Sequence, residues 1–289
     1  MCVSADYADF RGTIVYAGRR NHPRLGRIEV LGYQNTALNL AAGPNAMLLH
    51  LPAAGVGPEH FVDVGRHADV LTRMSDALTP VSASADGMDW MEQGTPPQVH
   101  VFEHDVYTVV LAEDPMRVYA ALERVPPHRR PRVSPELFEF YATAFPGHAV
   151  ALCCFDNRDA RRAKPLLLWY EPRDPSRLVV PAIDCHTGGV PRLGSPVGRD
   201  HLVVFGVDDE DVADDWGLGP EHLCSAVMQW PGGMRHQLRE FLPDRVVGVR
   251  IGDLDRPDLL ANGDFAIDHA ALLADDGLTR LGSLRLITP

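Results

Sequence analysis

Short apolar runs, cut at close intervals by glycine, proline and asparagine, leave this chain few options other than a sheet-rich body. Thr13–Ala17, Arg27–Tyr33 and Ala46–Leu51 are each too short for an ordinary helix and each end at turn-forming residues. Val99–His104 and Tyr107–Ala112 are separated only by Asp105-Val106, which predicts a β-hairpin. Further strands are expected at Ala149–Phe155, Pro165–Tyr170, Leu178–Asp184, His201–Phe205, Arg245–Ile251 and Leu284–Ile287. Helices are fewer. Val70, Leu71, Met74 and Leu78 have helical spacing, and Asp114-Pro115 and Ser134-Pro135 each supply a capping side chain followed by a proline that sacrifices no bonded N–H. Two more helices are expected at Glu221–Gln229 and Met234–Phe241, parted by Pro231-Gly232-Gly233. Strands in runs, without a β-α-β rhythm, predict an α+β protein of predominantly antiparallel sheets with a few packed helices.

A chain of 289 residues buries roughly three quarters of its unfolded surface and needs no covalent staple. We expect a single compact domain, with a division into sub-domains 1–113 and 114–289 as the alternative. Residues 79–97 have little periodicity and read as a long loop; loops of that length commonly serve as lids or binding loops. Met88, Trp90 and Met91 within it are the side chains that interfaces favour, and docking onto the body is the competing expectation.

The net charge of −12 is spread over many separate acids and repels a polyanion, so no nucleic-acid partner is expected. Two basic clusters, His128–Arg132 and Arg158–Lys164, suit a phosphate or carboxylate but read first as solvated loops. No apolar run approaches the ~18 residues of a membrane span and Met1–Phe10 lacks the order of a secretory signal, so no membrane partner and a cytoplasmic location are expected. A single lysine, Lys164, among 27 Lys and Arg residues suggests a G+C-rich genome. Five cysteines without a C-x-x-C pair fit neither a disulfide framework nor a zinc module, and Cys153 and Cys154 belong in an apolar core.

The candidate chemistry starts at Cys2. Removal of the preceding methionine would leave its thiol beside an amine of pKa about 7.7 to 8, able to act as a general base. Met1-Cys2 resembles the processed start of the N-terminal-nucleophile hydrolases, which implies cleavage of an amide, although Ser4–Asp9 here precedes the first strand where that family begins one directly. Asn35 and Asn45, beside Gly32 and Gly43, could supply oxyanion donors or simply shape turns. Asp184-Cys185-His186-Thr187-Gly188-Gly189 is the densest reactive cluster. On a strand, residues 184 and 186 share a face, so Asp184 could orient His186 as a base. His201, expected across a hairpin, could instead join His186 around a metal.

Asp184–Arg192 also resembles the Asp-x-His-Thr-x-Gly-x-Pro-x-Arg stretch of the proline racemase family, whose two catalytic thiols come from Gly-rich motifs; Cys153, Cys154 and Cys224 lie in apolar runs instead. Thr13–Asp184 resembles uncharacterised bacterial proteins with an early cysteine and a later hairpin-helix unit, which implies the α+β fold and no activity. The first expectation is a cysteine-dependent hydrolase of amide or related bonds, with Cys2 as nucleophile, His186 as base steadied by Asp184, and Asn35 and Asn45 as oxyanion donors. No cofactor is expected, and a small-molecule or peptide substrate fits such a site. The alternatives are a non-catalytic assembly or regulatory protein, with homo-oligomers open, and a metal-dependent enzyme centred on His186 and His201.

Overall fold

The computed structural model describes residues 3–38, 42–78, 99–198, 200–208, 224–274 and 282–288. Cys2, the 79–97 segment with Met88, Trp90 and Met91, and residues 209–223 lie outside them. In chain order the strands begin with β1 (Val3–Ser4), β2 (Asp9–His22), β3 (Gly26–Leu38) and β4 (Pro44–Leu51), followed by helix α1 (Val70–Ala77). The hairpin β5 (His100–His104) and β6 (Tyr107–Ala112) leads into α2 (Pro115–Ala120) and α3 (Pro135–Ala144). Then come β7 (Ala149–Asp156), β8 (Leu166–Tyr170), β9 (Arg177–Val180), β10 (Leu202–Val207) and β11 (Cys224–Val227). The single turn α4 (His236–Arg239), β12 (Arg245–Arg250), β13 (Asp264–Asp268), the single turn α5 (His269–Leu272) and β14 (Arg285–Ile287) complete it.

These elements make an α+β fold dominated by antiparallel strands. Among the described residues one sheet has the order β1-β4-β7-β6-β5, a second β11-β12-β10-β2-β3-β8, and a small third β14-β13-β9. The period of two along each strand explains how they stack. Met47, Leu49 and Leu51 of β4 and Val109 and Leu111 of β6 join Val15, Leu31, Leu168 and Phe205 of the six-stranded sheet in one core. The alternate residues Ala46, Leu48, Val110, Val150 and Leu152 face the other way, onto Val118 of α2 and Leu137, Phe138 and Tyr141 of α3. On the far side of the second sheet, Tyr16, Ile28, Val30 and Val204 are covered by Val70, Leu71 and Met74 of α1 and by Leu238 of α4. Two sheets packed face to face and each capped by helices bury their central strands on both sides. This is why β4, β6 and β7 read as unbroken apolar runs. Cys153 and Cys154, both fully buried, belong to opposite faces of β7.

Local signals behave as the sequence predicts at several places. Asp105 has φ of 51°, the left-handed conformation that two-residue hairpin turns demand, and joins β5 to β6 through the pair His104↔Tyr107. The Asp114 carboxylate accepts from the Met116 N–H at 2.9 Å, capping α2. Ser134 makes no such cap bond ahead of α3. Long-range pairing produces the departures. Cys224–Val227, expected inside a helix, is β11, an edge strand paired with β12, and Cys224 is exposed rather than set in apolar surroundings. The strand expected through Asp184 ends at Val180. Residues after His201 form no hairpin with the 184–186 segment: β10 lies between β2, to which it is parallel, and β12. Gly18 and Gly206 face each other across that parallel pair, and a Cβ on either would collide with the wholly buried ring of Tyr16. No helix among the described residues is long and apolar enough to cross a membrane.

Candidate functional site

Val3, Ser4 and Ala5 are buried. Val3 and Ser4 pair with Leu48 and Met47 on one side, while Val3 bridges Cys185 and Tyr7 bridges Thr187 on the other. Ser4 N–H donates to the Cys185 carbonyl at 2.9 Å, Ala5 N–H to the Ala46 carbonyl at 2.9 Å and Ala8 N–H to the His186 carbonyl at 3.1 Å. Residues 3–8 are therefore clasped between the edge of β4 and the 185–187 strip. Gly188 makes the close approach sterically feasible: its φ is +76°, and a Cβ there would stand 2.8 Å from the Ala5 carbonyl oxygen.

Asp184 and His186 come together as expected, with His186 Nε2 2.9 Å from Asp184 Oδ1. The His186 ring meets Phe10 edge to face at a centroid separation of 5.2 Å. Burial would raise the Asp184 carboxyl, but it is held well below the usual carboxylate range, with the hydrogen bond from His186 the leading cause of lowering. The backbone of Asp184 is fixed by Asn262, a residue that the sequence analysis did not single out. Asp184 N–H donates to Asn262 Oδ1 at 2.9 Å and the Asn262 amide donates back to the Asp184 carbonyl at 2.8 Å. One carboxamide thus stands in for a neighbouring strand. The only local hint is Asn262-Gly263, a turn dipeptide found at many irrelevant places. Cys185 Sγ lies 3.4 Å from both Thr187 Oγ1 and the Gly189 carbonyl.

The other candidates divide. Asn45 is fully buried beside the chain start, where its Oδ1 accepts from Asp6 N–H at 3.1 Å and Ala46 N–H at 2.8 Å. Those two bonds fix which end of the amide is oxygen. Its Nδ2 is enclosed, without a hydrogen-bond partner among the described residues. Asn35 belongs to the six-stranded sheet, and its amide donates to the Tyr33 hydroxyl at 2.8 Å. Cys2 lies outside the described residues. His201 is buried at the start of β10, with Asp200 3.9 Å away. Among the described residues no three His, Cys, Asp or Glu side chains are grouped to hold a metal ion.

Asn35, Asn45, Asp184 and His186 are not among the described residues that line the cavities considered next. A groove of about 770 Å³ runs past Trp169, Phe241, Phe61 and Lys164. A second cavity, of about 350 Å³, lies under the turn after α3 and is lined by Glu29, His148 and Asp264, the last paired with His50 behind the wall. There His50 Nε2 and Asp264 Oδ2 are 2.7 Å apart, both buried, and Asp264 Oδ1 accepts from Ala182 N–H at 2.7 Å. Glu29, buried, is pushed up to about 7 by desolvation despite its bond to Arg19. Desolvation and the nearby His50 push His148 down to about 4. None of these groups was prominent in the sequence, because they come from β3, β4, β13 and a turn far apart in the chain.

No family model matches the sequence and no curated protein does. Among solved structures the chain is similar to baculovirus P35, at 12% identity over 92% of this chain and 99% of that one, with a TM-score of 0.47. It is also similar to a mutated baculovirus P35 after caspase cleavage, at 12% identity over 78% of this chain and 74% of that one, with a TM-score of 0.41. Likeness at this level brings neither family nor activity to the chain.

Proposed function

We propose that this chain is a non-catalytic regulatory protein that engages a protein partner through the 79–97 segment. The observation that carries this is the rooting of the segment's two flanks in different cores. Leu78 is buried against the six-stranded sheet, where it abuts Gly248, while Val99 packs on the α2/α3 side of the five-stranded sheet and its carbonyl accepts from Arg124 at 3.1 Å. Loops carried on a rigid scaffold are the common seat of recognition, and fixing their ends lowers the entropy lost on binding. Met88, Trp90 and Met91 supply the apolar and aromatic anchors such contacts use.

The test is capture of the partner by the tagged full chain, followed by titration of that purified partner against wild type and Trp90→Asp. A second copy of the chain counts as a partner and is read as a concentration-dependent mass. Loss of at least about tenfold in affinity, roughly 1.4 kcal/mol, supports the proposal. Unchanged affinity in a folded Trp90→Asp protein overturns it.

A cysteine-dependent amide hydrolase is the alternative that one specific observation favours: residues 3–8, directly after Cys2, run along the Asp184–His186 pair. Its test is turnover and labelling by a thiol electrophile in wild type and Cys2→Ala. Full turnover in Cys2→Ala removes it.

A further inference from the structure

The cavity of about 350 Å³ beneath the turn after α3 shares no described lining residue with the clasp of residues 3–8 and 185–188. We propose that it binds a small carboxylic acid with an apolar body, the carboxylate held at the mouth by Arg173. The volume lies at the lower end of the ~300–1,000 Å³ typical of small-molecule sites. Phe145, Val179 and Ile287 give it apolar walls.

Charge pairing selects the ligand's sign. Of the acids that line the cavity, Glu29 is bonded to Arg19, Asp264 to His50, and Asp174 to Arg177 at 2.7 Å. Arg173 is the lining cation left without a carboxylate among the described residues. Its Nη1 donates only to the Gly147 carbonyl, at 2.5 Å. That position is built: Gly147 has φ of +78°, and a Cβ there would stand 2.8 Å from Arg173 Nη1, so the glycine lets the guanidinium lie on the turn. The remaining guanidinium N–H groups are free to form the paired bonds that carboxylates accept. Beside it, His148 Nδ1 is enclosed without a hydrogen-bond partner among the described residues. The imidazole ring therefore walls the cavity, and the charged contact falls to Arg173. Glu29 and Asp264 are deeply buried and repel an acid group, which sets the direction: carboxylate outward, apolar body inward.

Phenylacetate and its uncharged isostere phenylacetamide test this by calorimetric titration of the full chain. Wild type is expected to bind phenylacetate saturably and phenylacetamide at least about tenfold more weakly, the scale of a charge-assisted bidentate bond. Arg173→Gln should erase the difference between acid and amide, and Val179→Trp, which fills the space, should abolish both, with thermal unfolding showing that each variant is folded. Absence of saturable phenylacetate binding by wild type, equal affinity for acid and amide, or an undiminished preference in Arg173→Gln overturns the proposal.

Discussion

Removing the Asn262 carboxamide strips Asp184 of two backbone partners in one step. Asn262 is 2% exposed, so water does not simply replace them. Each lost hydrogen bond costs about 0.5–1.5 kcal/mol net, and more where the abandoned N–H or C=O stays desolvated, which puts Asn262→Ala at about 2–4 kcal/mol. The backbone of residue 262 keeps its own bonds, N–H to the Ser195 carbonyl at 2.7 Å and C=O from Gly194 N–H at 2.8 Å, so the chain stays in place and the loss reports the side chain. Asn262→Asp retains the acceptor for Asp184 N–H but turns a second acceptor toward the Asp184 carbonyl, and should cost at least as much. Urea unfolding followed by fluorescence measures both: the midpoint falls while the slope is unchanged. Asp258→Ala, which removes an exposed partner of Arg256, serves as the control and should stay within about 0.5 kcal/mol. An Asn262→Ala protein as stable as that control would refute the assignment of Asn262 as the strand substitute that holds the 184–186 segment.

Three further outcomes follow from the packing and the titrating groups. The raised Glu29 carboxyl contributes stability that is full below about 4.5 and is lost as pH climbs through about 7. The lowered His148 contributes stability that is full above about 6.5 and is lost as pH falls through about 4. The two slopes oppose, so Glu29→Gln should unmask stability rising with pH and His148→Asn stability falling with pH across that window; matching slopes in the two variants would contradict this. Gly188→Ala pays about 1–2 kcal/mol for its left-handed backbone and crowds the Ala5 carbonyl. It should speed amide exchange at Ser4 and Ala8, and exchange as slow as in wild type would count against the clasp. Gly206→Ala drives a methyl into Tyr16 and should cost about 1–3 kcal/mol by urea unfolding, whereas a neutral result would mean the ring has room to move.

Much of the scaffold was legible because its signals are local. The Asp105 turn, the Asp114 cap and the strands on either side of them are written in two to six residues each. The α+β class followed from the order of such elements. What escaped depends on distant partners. Cys-Ser-Ala-Val at 224–227 has little preference of its own, and pairing with β12 decides its state. The parallel neighbourhood of β10 and β2 joins residues nearly two hundred apart in sequence, which no local pattern encodes. The Asp184–His186 pair was legible from its spacing, but the clasp around it was not: Asn262 acts through its amide, and Ser4–Asp9 shows in the sequence only as a stretch ahead of the first strand. The cavity lined by Glu29, His148 and Asp264 was missed for the same reason.

Amide hydrogen exchange on the full chain, free and saturated with its captured partner, tests the regulatory proposal most directly. Contact through Met88, Trp90 and Met91 predicts slowed exchange concentrated in residues 79–97, with Asp184–Gly189 unaltered. Slowing confined to Asp184–Gly189 and the chain start, with 79–97 exchanging as fast as before, would contradict it.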